Sequence, residues 1–88
     1  MKLKAKKEKT VVSEFSSFIE LSGNREAVIE GCRGVLDFGE SSIALSLGKM
    51  NVRIIGDELT VASFVYGQAL VRGNICGLEF FSTGGADV

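Results

Sequence analysis

Ile43, Leu45 and Leu47 alternate with small or polar residues, and after Gly48 the alternation resumes with Met50, Val52 and Ile54. A period of two places each trio on one face of a strand. Leu59, Val61, Ser63 and Val65 continue the pattern, then Ala69 and Val71 against Leu70 and Arg72. From Ile75 to Phe81, Cys76, Leu78 and Phe80 share one face, and Ile75, Gly77, Glu79 and Phe81 the other. Strands with apolar residues on both faces are expected to be covered on both sides. Gly23, Gly31, Gly39, Gly48 and Gly56 punctuate the chain at the spacing of short strands joined by tight turns.

Ahead of this region the pattern changes. Met1 to Thr10 carries Lys2, Lys4, Lys6, Lys7 and Lys9, with Leu3 its one bulky apolar residue besides the initial Met, and reads as a solvated arm. Val11, Val12, Phe15, Phe18 and Ile19 recur at helical spacing and Ser13 offers a cap, so a turn or two of helix is expected over 11–18. The β-branched and aromatic content there argues for a strand instead. The expected organisation is a flexible basic arm over 1–14, a β domain over 15–82 and a frayed tail over 83–88.

The fold class is therefore all-β, with about seven short strands in a meander that forms a small sandwich or open barrel. A short β-solenoid fits the same spacing, although no sequence motif repeats at that interval.

Composition narrows the functions. The chain has 88 residues, enough for one domain, and a net charge of −1. The charge is unevenly placed: residues 1–10 hold five Lys and one Glu, while the other ten acids outnumber the five remaining basic residues. A nucleic-acid module carries its basic residues on the folded surface, so this split argues against nucleic acid. Cys32 and Cys76 form no paired motif, no apolar run follows the basic start, and Val61 to Val65 is far too short to span a bilayer. A cytoplasmic protein with reduced thiols is the expectation.

The search for chemistry finds little. There is no His, the commonest general base and transition-metal ligand, and two lone cysteines cannot build a structural zinc site. Asp37, Glu40, Asp57 and Glu58 are explained by turn chemistry, although paired carboxylates can run hydrolysis. Gly31-Cys32-Arg33-Gly34 lacks the lysine of a phosphate loop and no helix follows it. Arg33 is expected to pair with an acid on the sheet surface or to sit at a partner interface. The expectation is no enzyme, no cofactor and no metal. Phe64, Tyr66, Phe80 and Phe81 are the candidate interface residues, and open strand edges offer docking by strand addition, including to a second copy.

Gly23-Asn24, Glu30, Gly34-Val35-Leu36-Asp37-Phe38, Ile43 to Gly56, Leu59 to Val61, and Val71-Arg72-Gly73-Asn74-Ile75 to Phe80 together carry a resemblance. From Ile19 to Phe81 the chain resembles the YabP/YqfC family of sporulation proteins of endospore-forming Firmicutes, the YqfC branch more closely. It differs in having no proline before the first strand. The resemblance implies a protein of the mother cell, working as a binding or assembly module at the forespore membrane with a membrane-associated sporulation protein as partner. It carries over no catalytic residue. In that setting the five arm lysines are candidate contacts for anionic lipid. A self-assembling structural β protein outside sporulation is the alternative.

Overall fold

The structure, a computed structural model, describes residues 17–82. The lysine arm and the 83–88 tail lie outside the described residues. Alternation becomes strand wherever it was legible: β1 (Phe18–Ser22), β2 (Glu26–Glu30), β3 (Gly34–Phe38), β4 (Ser42–Ser46), β5 (Met50–Val65) and β6 (Gln68–Ser82). No helix occurs among the described residues. The helical expectation for 11–18 fails at its visible end, because Phe18 opens β1 and pairs with Glu30.

All pairing is antiparallel, in one six-stranded sheet of order β1-β2-β6-β5-β4-β3. A solenoid needs parallel neighbours, so that alternative is excluded. Nor is the path a plain meander, since β2 pairs with β6. A long central ribbon, β5 with β6, carries a short hairpin on each side.

There are six strands instead of about seven because Gly56 and Gly73 are bends inside β5 and β6, not turns between strands. Pairing runs from Met50↔Ser82 to Val65↔Gln68, with register shifts around Ile55/Gly56 and Asp57/Thr60. A Cβ on Gly56 would run into the Asn74 carbonyl, and one on Gly73 would lie 2.8 Å from the Glu58 carbonyl oxygen. Two missing side chains therefore let the strands approach closely, and the bulge bends them. The side turns anchor here: Gly56 and Leu59 donate to the carbonyls of Ser41 and Glu40, and Gly73 and Ile75 to those of Arg25 and Asn24.

The bend turns one open sheet into two facing halves. One half holds β1, β2 and the strand ends beside the ribbon's turn; the other holds β3, β4 and the far ends of β5 and β6. Ala27, Ile29, Ala69 and Val71 from the first half share a single core with Ile43, Leu45, Val52 and Ile54 from the second. Leu59 and Ile75 join that core from the bend. Gly31 to Arg33 crosses between the halves: Cys32 N–H donates to the Gly67 carbonyl at 2.8 Å and Arg33 N–H to that of Ser46 at 2.7 Å. Outward-facing charges pair across the strands, Arg72 with Glu26 at 2.9 Å and Arg53 with Glu79 at 3.5 Å.

The ribbon's own turn is Tyr66-Gly67, with φ of 53° and 75°. Two positive φ values are what a type I′ turn requires, and Asn-Gly suits it far better than a bulky first residue. Tyr66→Asn should therefore raise stability by about 1 kcal/mol, read as a higher denaturant midpoint with unchanged slope. An unchanged or lower midpoint would contradict this conformation.

Candidate binding groove

The two halves do not close along one side. There β1, the edge of the first half, faces the last residues of β6, the edge of the second. Each has a hydrogen-bonded neighbour on one flank only among the described residues: β1 pairs with β2, and β6 beyond Gly77 pairs with β5.

Between these edges lies an open groove of about 820 Å³. Phe18, Ile19 and Leu21 of β1 form one wall. Met50, Leu78 and Phe80 form the other, their alternation having carried them onto the face that Val52 and Ile54 bury further in. Leu47 closes one end together with Arg33 and Lys49. The Arg33 guanidinium lies over Gly48, 3.5 Å from the position of a Cβ there, and Lys49 is the next residue along the chain. Neither cation has a carboxylate partner among the described residues, so the pairing expected for Arg33 is not found there. Among the described residues no acid joins the lining.

Exposure of this wall is unusual for a small domain. Phe18 is 61% exposed and Phe80 56%. Contiguous apolar surface rimmed by polar groups marks an interaction site more often than chance placement does.

The four aromatic candidates do not form one patch. Phe80 belongs to the groove. Phe64 and Tyr66 stand exposed at the turn end of the ribbon, Tyr66 fully so. Phe81 is on the opposite face from Phe80 and lies beneath the Arg53 guanidinium, 4.5 Å from the ring centre, a cation–π contact. Sequence reasoning overlooked Phe18, Ile19, Leu21 and Lys49 as groove residues. The available signal was Leu21 and Met50, apolar residues at the ends of strands next to a charged turn.

The carboxylates considered for hydrolysis sit elsewhere. Asp37 accepts a hydrogen bond from Phe38 N–H at 2.9 Å, while Glu40, Asp57 and Glu58 are exposed around the bend. No group of three metal-ligating side chains occurs among the described residues.

Cys32 is buried and Cys76 exposed. Burial pushes the Cys32 thiol up, with a smaller opposing effect from the Gly34 backbone, and the thiol donates to the Gly34 carbonyl at 3.5 Å. In folded protein a thiol reagent should label Cys76 quickly and Cys32 only after denaturation. Two equivalents reacting at one fast rate would contradict this burial. Because the folded chain holds the neutral thiol more firmly, the unfolded chain ionises first. Its contribution to stability is thus complete below the ordinary value of 9.0 and is lost as pH rises past it.

Together these features define an all-β protein with an open apolar groove between the β1 and β6 edges and cations at one end of it. The family model of the YabP family matches residues 13–87. The chain belongs to the YabP family, and membership is consistent with a sporulation-associated role; the match does not distinguish the YqfC-like branch. No curated protein and no solved structure matches the chain. No helix among the described residues is long and apolar enough to cross a membrane.

Proposed function

We propose that the chain is a non-enzymatic assembly module of spore formation, made in the mother cell, which binds a membrane-associated protein at the forespore membrane. The observation that carries this reading is the groove between two strand edges left open among the described residues, lined by Phe18, Leu21, Met50 and Phe80. An apolar surface of this kind is costly to leave wet, which supports a protein partner over a free-standing role. Family membership supplies the setting. The arm lysines Lys2, Lys4, Lys6, Lys7 and Lys9 supply a second contact, with anionic lipid.

The test is co-purification of the full chain, in a spore-forming host that encodes a membrane protein beside it, with that membrane protein. Recovery of that protein during spore formation, and not in vegetative cells, is expected. A chain recovered alone at every stage would refute the reading. For the lipid contact, flotation with anionic vesicles should exceed flotation with neutral ones, and equal recovery would remove it.

Self-assembly is the second reading, favoured by the β3 edge, where Val35, Leu36 and Phe38 are all exposed. The register shift between Val35 and Asp37 works against it, because a bulge spoils an edge for continued pairing. A monomeric mass across a wide concentration range is the expected result.

A further inference from the structure

We infer that the groove receives an extended, acidic-ended apolar segment of a protein partner, added as a strand along β1. This rests on the proposed protein-binding role and specifies its chemistry. Three observations converge on it.

First, the backbone of β1 from Phe18 to Ser22 has its outer flank unpaired among the described residues, and it has no register shift against β2. An even edge accepts a further strand, whereas the bulged β3 edge does not. Second, the groove runs beside that edge and is apolar along both walls. A strand hydrogen-bonded to β1 would point alternate side chains into the groove, against Leu21, Leu78 and Phe80, and the rest to solvent. Third, Arg33 and Lys49 both line the groove near the connection between β4 and β5, and among the described residues neither has a carboxylate partner and no acid joins the lining. A carboxylate on the incoming segment would complement them, fixing its direction and register. Together the features select an alternating apolar strand with Asp or Glu at one end. A basic segment is disfavoured by the same charges.

The rest of the molecule offers less. The turn tip at Phe64 to Tyr66 is apolar and exposed, but nothing in the structure shows what would cover it. The acids around the bend are exposed, and no group of three side chains that could hold a metal ion occurs among the described residues.

The experiment uses the full chain, immobilised, against a displayed library of random dodecapeptides. Enriched peptides are expected to alternate apolar and polar residues and to carry Asp or Glu at one end. The strongest of them, synthesised with an amide in place of each carboxylate, should bind about tenfold more weakly. The paired change Arg33→Glu with Lys49→Glu should cost a similar factor, and Leu21→Asp should abolish binding. All three side chains are exposed, so folding should survive, which circular dichroism checks; Tyr66→Asn should bind normally. No enrichment, enrichment of basic peptides, or binding indifferent to the groove changes would overturn the inference. So would concentration-independent nuclear Overhauser contacts from residues 11–16 into the groove, or concentration-dependent shifts at β1, which would assign the groove to the chain itself or to a second copy. If the adjacent membrane protein still co-purifies with the groove variants, the binding role stands and this site for it does not.

Discussion

Gly56→Ala is expected to destabilise the protein by about 3 kcal/mol or more, enough to leave much of it unfolded at physiological temperature. The added Cβ would meet backbone, the Asn74 carbonyl and the Ile75 Cα, not the end of a side chain that can swing away. The strands can separate only by opening the ribbon where both side turns are anchored. For a domain of this size each kcal/mol lowers the melting temperature by roughly 4–8 °C, so the shift is large. Gly77→Ala is the matched control, because nothing lies within 4 Å of a Cβ there and its φ is not positive. That change should be neutral or stabilise by a few tenths of a kcal/mol, since Ala loses less freedom than Gly in a strand. A Gly56→Ala protein that melts with the wild type would mean the bend is not built on this contact.

The second large effect is expected at Ile54. It is fully buried in the shared core, opposite Ile43 on β4 and Leu78 on β6. Ile54→Ala removes buried methyl groups and leaves a cavity between two halves that cannot easily collapse, at a cost of about 3–4 kcal/mol. Ile55, the next residue, has the same side chain on the opposite face and is 38% exposed. Ile55→Ala should cost less than about 1 kcal/mol. Chemical denaturation of both variants measures the contrast directly. Similar losses at the two positions would show that the faces are assigned the wrong way round.

That pair also shows what the sequence made legible. The alternation groups Val52 with Ile54 on one face of β5 and Ile43 with Leu45 on one face of β4, and these four are buried, because a strand's period of two is a local property. The expectation that both faces are covered fails at Ile55, which is 38% exposed. Glycines were harder to read. Gly23, Gly31, Gly39 and Gly48 do lie in connections, but Gly56 and Gly73 lie inside strands. The same residue serves a turn by tolerating positive φ and serves a bend by lacking a Cβ, and local sequence does not distinguish the two. Tyr66-Gly67 is the converse case: a tight turn whose first residue is a poor turn former, so no signal marked it.

The groove was less visible still. Phe80 is a candidate from the sequence alone, but the wall that faces it comes from β1, which lies far away in sequence. Which apolar faces meet and which stay open depends on the fold of the ribbon, and no periodicity encodes that. Arg33 was recognised as either an ion-pair or an interface residue. Its place over Gly48 became apparent only once the crossing segment was fixed by the bonds from Cys32 and Arg33.

The sheet doubles back so that its two halves share one interior and, among the described residues, leave the side between β1 and β6 open. Methyl-resolved nuclear Overhauser spectroscopy of the full chain tests this most directly. Cross-peaks are expected between methyls of Ile29 or Val71 and those of Ile43, Leu45, Val52 or Ile54, together with the β5–β6 ladder passing unbroken through Gly56 and Gly73. Methyl contacts confined to each half, with no cross-peak between them, would contradict the fold and remove the groove with it.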